Sequence, residues 1–254
     1  FIRLADKLVL YSGPGYLWSR AELNLLLAAG HKQLYLRRSD LGKAKMYEAM
    51  AQLPQLSQDL PPQGRIVALE HLGAKFTQCL YEGELSTSVV DKAKDLAAAL
   101  TVCVAEEPGC VRHLGDLVEH DYYTYYHSIR VSAYSVAVAV SMGLTDRMLL
   151  QDIALGGIFH DIGKREVPLQ LLNKSGVLTD TEWELVKAHP STGHASLRDT
   201  SLAYTSKEIV IHHHEKRSGR GYPHGLDKGQ LLPEVQIATL ADIFDALTSA
   251  RAYQ

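Results

Sequence analysis

The stretch Ile153–Pro168, "IALGGIFHDIGKREVP", decides how the rest of the chain is read. Its apolar residues belong in a buried helix, yet His160 and Asp161 stand side by side among them. A buried polar group is tolerable only when it has partners. The pair is therefore either a satisfied hydrogen-bonded couple or part of a metal site. Both follow Ile153 and Gly157 on helical spacing and face inward near the C-terminal end of their helix. Gly156 and Gly157 let a neighbouring helix approach closely. Gly163 is expected to stop the helix, with Lys164 on the turn beside the carboxylate.

Similar polar residues recur on other apolar segments. In "YYTYYHSIRVSAYSVAVAVSMG", His127 is in register with Val131, Tyr134 and Val138, so its ring faces the apolar side. His189 is expected to close the helix of "TDTEWELVKAHP", where Pro190 prevents simple continuation. In "IVIHHHEKRSGRGYP" the side chains of His212, His213 and His214 fan out by about 100° per residue. Two adjacent ones can serve one inward site, and the third is expected to be exposed. Asp242 and Asp245 are three apart on the apolar helix of "IATLADIFDALTS", and an unpaired buried carboxylate is costly enough to demand a cation or several donors.

Each of these residues alone reads most simply as a core or helix-terminal side chain. Five helices each bringing an imidazole or carboxylate to an apolar face do not, because one metal centre satisfies them together. Imidazole and carboxylate without thiolate suit iron, manganese or zinc. Seven candidate ligands exceed one tetrahedral ion. Two ions about 3.5–4 Å apart, bridged by a carboxylate and a hydroxide, match the number better.

The chain has 254 residues and is 46% hydrophobic, enough for one large or two small domains. Lys and Arg total 26 against 29 Asp and Glu, so the net charge of −3 creates no global field for duplex nucleic acid or anionic membrane. No apolar run approaches the roughly 18 residues of a membrane span, and no signal peptide is recognised, so a cytoplasmic location is expected. Cys79, Cys103 and Cys110 show no CxxC spacing and are expected to be buried free thiols.

Residues 1–60 read as a small α/β module of regulatory or accessory type. It comprises a strand near Leu8, a helix capped near Ser19 and stopped at Gly30, and a second strand at Gln33 to Arg37. The prolines of "AQLPQLSQDLPPQG" mark the boundary. From residue 64 to 254 the pattern is helical. Helices are expected at Arg65–Tyr81, Ser86–Glu106, and near 122–142, 145–160, 180–189, 205–215 and 233–250, with Thr179 and Glu182 forming a capping box.

The order "HDIGK" (His160–Lys164), "HP" (His189), "HHE" (His213–Glu215), "GRGYP" (Gly219–Pro223) and "ADIFDALTSARAY" resembles the HD-GYP phosphodiesterases, a branch of the HD hydrolase superfamily, from about Asp116 onward. The resemblance implies an all-helical HD-type bundle carrying a binuclear site. Its implied ligands are His127, His160, Asp161, His189, His213, His214 and Asp242, with Asp161 as the bridge. Some members hold a third metal on a glutamate one turn before the first histidine; that position is Tyr123 here, so two divalent ions are expected, iron first, with manganese and zinc as alternatives.

The implied activity is hydrolysis of cyclic di-GMP to linear pGpG, and onward to GMP, by a metal-bridging hydroxide. Asp161 and Lys164 are the implied catalytic residues, and Lys164, Arg220, Tyr222 and Arg251 the substrate contacts. Glu215 is read as orienting a ligand histidine. The usual "WDG" before the GYP signature is "RSG" at Arg217–Gly219, and a usual arginine is Gln236, departures that bear on loop geometry and substrate preference. A non-catalytic cyclic-dinucleotide sensor or adaptor, and a hydrolase for another nucleotide, stay open as alternatives. A homodimer or a signalling-protein partner is the expected association. Family members continue past the position of Gln254, so a longer parent polypeptide is expected.

Overall fold

The computed structural model describes residues 2–4, 7–9, 19–37, 41–53, 60–115 and 123–249. The chain divides into two compact units, 1–45 and 46–254. In the first, β1 (Ile2–Leu4) pairs antiparallel with β2 (Lys7–Val9), and α1 (Arg20–Ala28) follows. Ser19 and Glu22 form a reciprocal capping box at the start of α1. The strand expected at Gln33–Arg37 is absent: residues 31–37 have no regular structure, and Leu34 and Leu36 are exposed. An alternating pattern makes a strand only when a partner strand receives its hydrogen bonds.

The unit boundary also differs from the proline-rich segment. Helix α2 (Leu41–Met50) buries Met46 and Met50 in the same apolar core as Ile66, Phe76 and Leu96, so the chain joins the helical unit before the prolines. That unit then runs through α3 (Pro62–Glu82), α4 (Thr87–Glu106), a 3-10 turn (Pro108–His113), α5 (Tyr123–Ser141) and α6 (Arg147–Phe159). A second 3-10 turn (Ile162–Glu166), α7 (Leu169–Leu172), α8 (Asp180–Lys187), α9 (His189–Leu197), α10 (Tyr204–His212) and α11 (Pro233–Thr248) complete it. The expected all-helical bundle is what forms.

Two helices lie at its centre. Helix α6, capped by the Asp146 carboxylate on the Met148 and Leu149 amides, buries every residue from Ile153 to Phe159. It packs against α5 and α10, and α5 packs in turn against α3 and α11. The glycine pair sets these approaches: a Cβ on Gly156 would lie 2.6 Å from Ile209, and one on Gly157 would lie 2.6 Å from the Ser132 Cα. Seryl hydroxyls fasten the seam, Ser132 donating to the Ala154 carbonyl at 2.9 Å and Ser206 to that of Asp152 at 2.8 Å.

Two sequence expectations change here. Gly163 does not stop the helix; α6 ends at Phe159, and Gly163 lies inside the 3-10 turn against the backbone of α9. A Cβ there would stand 1.9 Å from the His189 carbonyl oxygen and 2.6 Å from the Gly193 nitrogen. His189 opens α9 and does not close α8, with Pro190 in the first turn where its missing N–H leaves nothing unsatisfied. The Thr179–Glu182 capping box is present, whereas Ser86 occupies its N-cap position without its side chain capping a backbone amide. Cys103 and Cys110 are buried free thiols and Cys79 is half-buried. Among the described residues no helix is long and apolar enough to cross a membrane.

Because the two nearest atoms facing Gly163 are backbone, Gly163→Ala is expected to cost about 1–3 kcal/mol, read as a lowered denaturant midpoint. Gly64→Ala, where the new methyl meets only Leu60 and Pro61 at ordinary contact of 3.5 Å or more, is expected to be neutral or stabilising.

Candidate metal centre

The seven residues singled out in the sequence converge. His127 comes from α5, His160 and Asp161 from the end of α6, His189 from the start of α9, His213 and His214 from just beyond α10, and Asp242 from the middle of α11. Their donor atoms fall into overlapping groups: Asp161 with His189, His213 and His214; His127 with His160 and Asp161; and His160 with His213 and Asp242. Asp161 is shared by the first two. Its Oδ1 lies 3.2 Å from His189 Nε2 and 3.8 Å from that of His213; its Oδ2 lies 3.3 Å from His160 Nε2 and 3.8 Å from that of His127.

Three of the rings are oriented by one device. The last carbonyls of a helix have no partner within it. His160 Nδ1 donates to the Gly157 carbonyl at 2.7 Å, His189 to that of Val186 at 2.7 Å, and His213 to that of Val210 at 2.9 Å. In each case a histidine at a helix junction caps a carbonyl three residues back. A carbonyl only accepts, so the proton is on Nδ1, and the Nε2 lone pair is left facing the site.

That arrangement is unstable without a positive charge. The Nε2 atoms of His189 and His213 are 3.3 Å apart, and with both ring protons on Nδ1 neither can donate to the other. His160 Nε2 and Asp161 Oδ1 are buried with no hydrogen-bond partner. Burial lowers His213 to about 4 and His214 to about 2, so a proton does not fill the gap near neutrality. Burial opposes the charge on Asp161, yet His160 and Lys164 hold its carboxyl well below the usual range. Lys164 Nζ donates to Asp161 Oδ2 at 2.6 Å and leaves Oδ1 without a donor. The neutral His213 and His214 rings, the ionised Asp161 and Asp242 carboxylates and the unpartnered buried atoms fit divalent metal.

His127 is oriented differently, because it sits inside α5 and has no free carbonyl to cap. Its Nδ1 lies 2.7 Å from Asp245 Oδ2 and its Nε2 3.1 Å from Asp242 Oδ1. Behind Asp245 stand Ser249, donating to Oδ1 at 3.0 Å, and Arg130, which pairs with buried Glu70. Glu70 in turn accepts from the Gly115 amide at 3.2 Å. Asp245, Arg130, Glu70 and Tyr81, whose hydroxyl donates to the Asp161 carbonyl at 2.9 Å, were not assigned from the sequence. The available signal was charge on apolar faces: Asp245 three residues after Asp242, and Arg130 three after His127.

The loop after His214 corrects two expectations. His212 is not exposed: its Nδ1 faces Glu208 at 3.3 Å and its Nε2 the His224 ring at 3.0 Å. Glu215 does not orient a ligand histidine. It is buried, and its carboxylate accepts the amides of His224, Gly225 and Leu226 at 2.6, 3.0 and 3.1 Å, holding the loop. Gly221 lies against this turn, where a Cβ would be 2.4 Å from the Glu215 Cα. The Tyr222 ring consequently stacks at a tilt on His214, 4.8 Å between centroids. Burial, with the Asp161 and Asp242 charges, pushes its phenol up, so the hydroxyl keeps its proton. Arg220 is exposed and is not drawn to the donor cluster; Arg251 lies outside the described residues.

The family described as "HD domain" matches residues 114–254. The chain belongs to this family. It is 32% identical over 251 residues to the cyclic di-GMP phosphodiesterase PA4108 of Pseudomonas aeruginosa, a match covering 93% of this chain and 60% of that protein. It is 38% identical over 134 residues to the 3'3'-cGAMP-specific phosphodiesterase 3 of Vibrio cholerae, covering 52% of this chain and 28% of that one. Each of these curated relatives is thus spanned over less than two thirds of its length. In fold the chain is similar to Bd1817, a HDG"Y"P protein from Bdellovibrio bacteriovorus, with a TM-score of 0.69 at 21% identity, covering 100% of this chain and 84% of that one. The HD-GYP resemblance drawn from the motif order agrees with all three.

Two predictions concern His127. Burial disfavours its charge, but the Asp242 and Asp245 carboxylates outweigh burial and raise it from 6.5 to about 9. In metal-free protein its stabilising charge is complete below pH 6.5 and lost as pH rises through about 9. Metal loading at pH 7 is therefore expected to release about one proton from this ring, measured by calorimetry in buffers of different ionisation enthalpy, and the release fades above that range. Asp245→Asn is expected to weaken metal affinity about 10–100-fold in competition with a chelating dye, since it removes the carboxylate that orients the ring.

Proposed function

We propose that the chain is a metal-dependent phosphodiesterase that opens cyclic di-GMP to linear pGpG, and carries pGpG on to GMP. The observation that carries the reading is Asp161, one buried carboxylate facing two histidine groups and also bonded to Lys164. The naming of relatives as cyclic di-GMP phosphodiesterases supports the substrate.

His127, His160, Asp161, His189, His213, His214 and Asp242 would hold two divalent ions, iron by preference and manganese or zinc as substitutes. Bound there, the ions lower the pKa of a coordinated water towards neutrality and offset charge on the phosphate. The remaining work falls to side chains. Asp161 keeps the two groups in one register, and its carboxylate stays ionised at every pH of interest. Lys164, a quarter exposed, is the cation available to a non-bridging phosphate oxygen. The Tyr222 hydroxyl, held protonated beside Asp161 and Asp242, donates to phosphate or to the departing ribose oxygen. Arg251 is assigned a second phosphate contact and Arg220 a contact to a guanine, both on the motif resemblance alone. Water attacks phosphorus as the bond to the ribose oxygen breaks, and that oxygen takes up a proton. The helical unit from Met46 onward is the catalytic unit, and the segment before it is an accessory module.

A second reading changes only the base: several relatives are named as 3'3'-cGAMP-specific, so the mixed cyclic dinucleotide is the competing substrate. Side-by-side turnover by protein loaded with iron or manganese under reducing conditions separates the two. Absence of linear product from either nucleotide refutes the activity. Lys164→Ala is expected to lower kcat by about 10²–10³ while bound metal is retained. His160→Ala combined with Asp161→Ala is expected to strip the metal, and unchanged stoichiometry would refute the ligand assignment.

A further inference from the structure

Helix α8 has no fully buried residue, so its place in the fold is not explained by the core. It is nevertheless well anchored, by its capping box and by the Lys174–Glu182 ion pair. Trp183 in its first turn is 45% exposed, and its ring meets Tyr222 edge to face with centroids 6.4 Å apart. Tyr222 stacks on His214 at 4.8 Å, and His214 on His213 at 4.1 Å. An aromatic row therefore runs outward from the donor cluster, and its last ring is the one left open to solvent.

A large indole held half-exposed beside such a site has two readings. One is a protein-docking face, which on a helix needs apolar neighbours three or four residues away. Those positions hold Val186, which is half-buried, and Lys187, while the exposed Leu185 projects elsewhere, so the apolar surface beside Trp183 is limited to one small side chain. The other is a stacking surface for a flat ring whose polar end lies deeper in the site. His213 is buried and His214 and Tyr222 are half-buried, whereas Trp183 is exposed, so Trp183 is the ring of this row most open to solvent. Lys164, at the inner end, supplies the cation for a phosphate.

We propose that Trp183 is the base-stacking residue of the site, receiving one purine of the substrate on its exposed indole face while the phosphate lies at Asp161 and Lys164. The assignment rests on the nucleotide phosphodiesterase reading and extends it to a residue outside the metal and loop motifs. Stacking on an aromatic face accepts any base, so Trp183 adds affinity and leaves discrimination between guanine and adenine to polar groups.

The chain has two tryptophans, Trp18 and Trp183, so Trp18→Phe leaves Trp183 as the sole reporter. With metal-loaded protein excited at the red edge of indole absorption, GMP is expected to quench emission saturably. Ribose 5-phosphate, which has the sugar and phosphate without the base, is expected to leave it unchanged. Trp183→Ala is expected to raise KM for cyclic di-GMP about tenfold with kcat within about twofold, and Trp183→Phe to recover most of the loss. Emission that does not respond to millimolar GMP, or an unchanged KM in Trp183→Ala, overturns the proposal while leaving the activity intact. Quenching by GMP in a protein that turns over no cyclic dinucleotide supports the stacking role and defeats the activity.

Discussion

Asp161 is a fully buried carboxylate with one oxygen lacking any hydrogen bond, surrounded by imidazole nitrogens whose lone pairs face it and one another. The contacts among His160, His189, His213 and Asp161 Oδ1 are repulsive or unsatisfied until positive charge is placed among them, and the penalty for leaving a buried polar group so is several kcal/mol. Lys164 meets only Oδ2. The centre of this bundle is therefore built around cations, and much of the helical architecture serves to keep acceptor atoms pointed at a small shared volume.

The fold achieves this by ending helices there. His160, His189 and His213 each stand where one helix gives way to the next, and each uses its Nδ1 proton on a helix-end carbonyl three residues back. The local need of a helix end and the global need of a metal site are met by the same hydrogen bond. Glycines permit the convergence. Gly156 and Gly157 bring α10 and α5 against α6, and Gly163 lets the α9 backbone come within contact of the turn that carries Asp161 and Lys164. Where a ligand lies within a helix, as His127 does, a carboxylate from another helix replaces the carbonyl, and Arg130 and Glu70 continue the support behind it.

The loop from Arg217 to Asp227 completes one wall. Its conformation follows from Glu215, whose two oxygens collect three consecutive amides, and from Gly221, which passes too close to the Glu215 backbone for any side chain. The consequence is the position of Tyr222 over His214, which couples the loop to a candidate ligand through ring contact. The family match over residues 114–254 covers this assembly except α2, α3, α4 and the first 3-10 turn, and so leaves out the Glu70 and Tyr81 side chains that α3 contributes.

Periodicity, caps and residue chemistry are local properties, and these were legible in the chain alone. Most helices of the larger unit, the cap at Ser19 and the Thr179–Glu182 capping box could be read without coordinates, and so could a shared donor set, because buried imidazoles and carboxylates on apolar faces need a common partner; the motif resemblance then named its seven members from His127 to Asp242. What depends on the approach of distant segments could not. The start of α9 at His189, the contact that makes Gly163 obligatory, the use of Glu215 for a loop, the burial of His212 against His224, and Asp245 as the support of His127 all arise from atoms far apart in sequence. A residue's type limits which bonds it can make, but only packing decides which donor or acceptor arrives within reach.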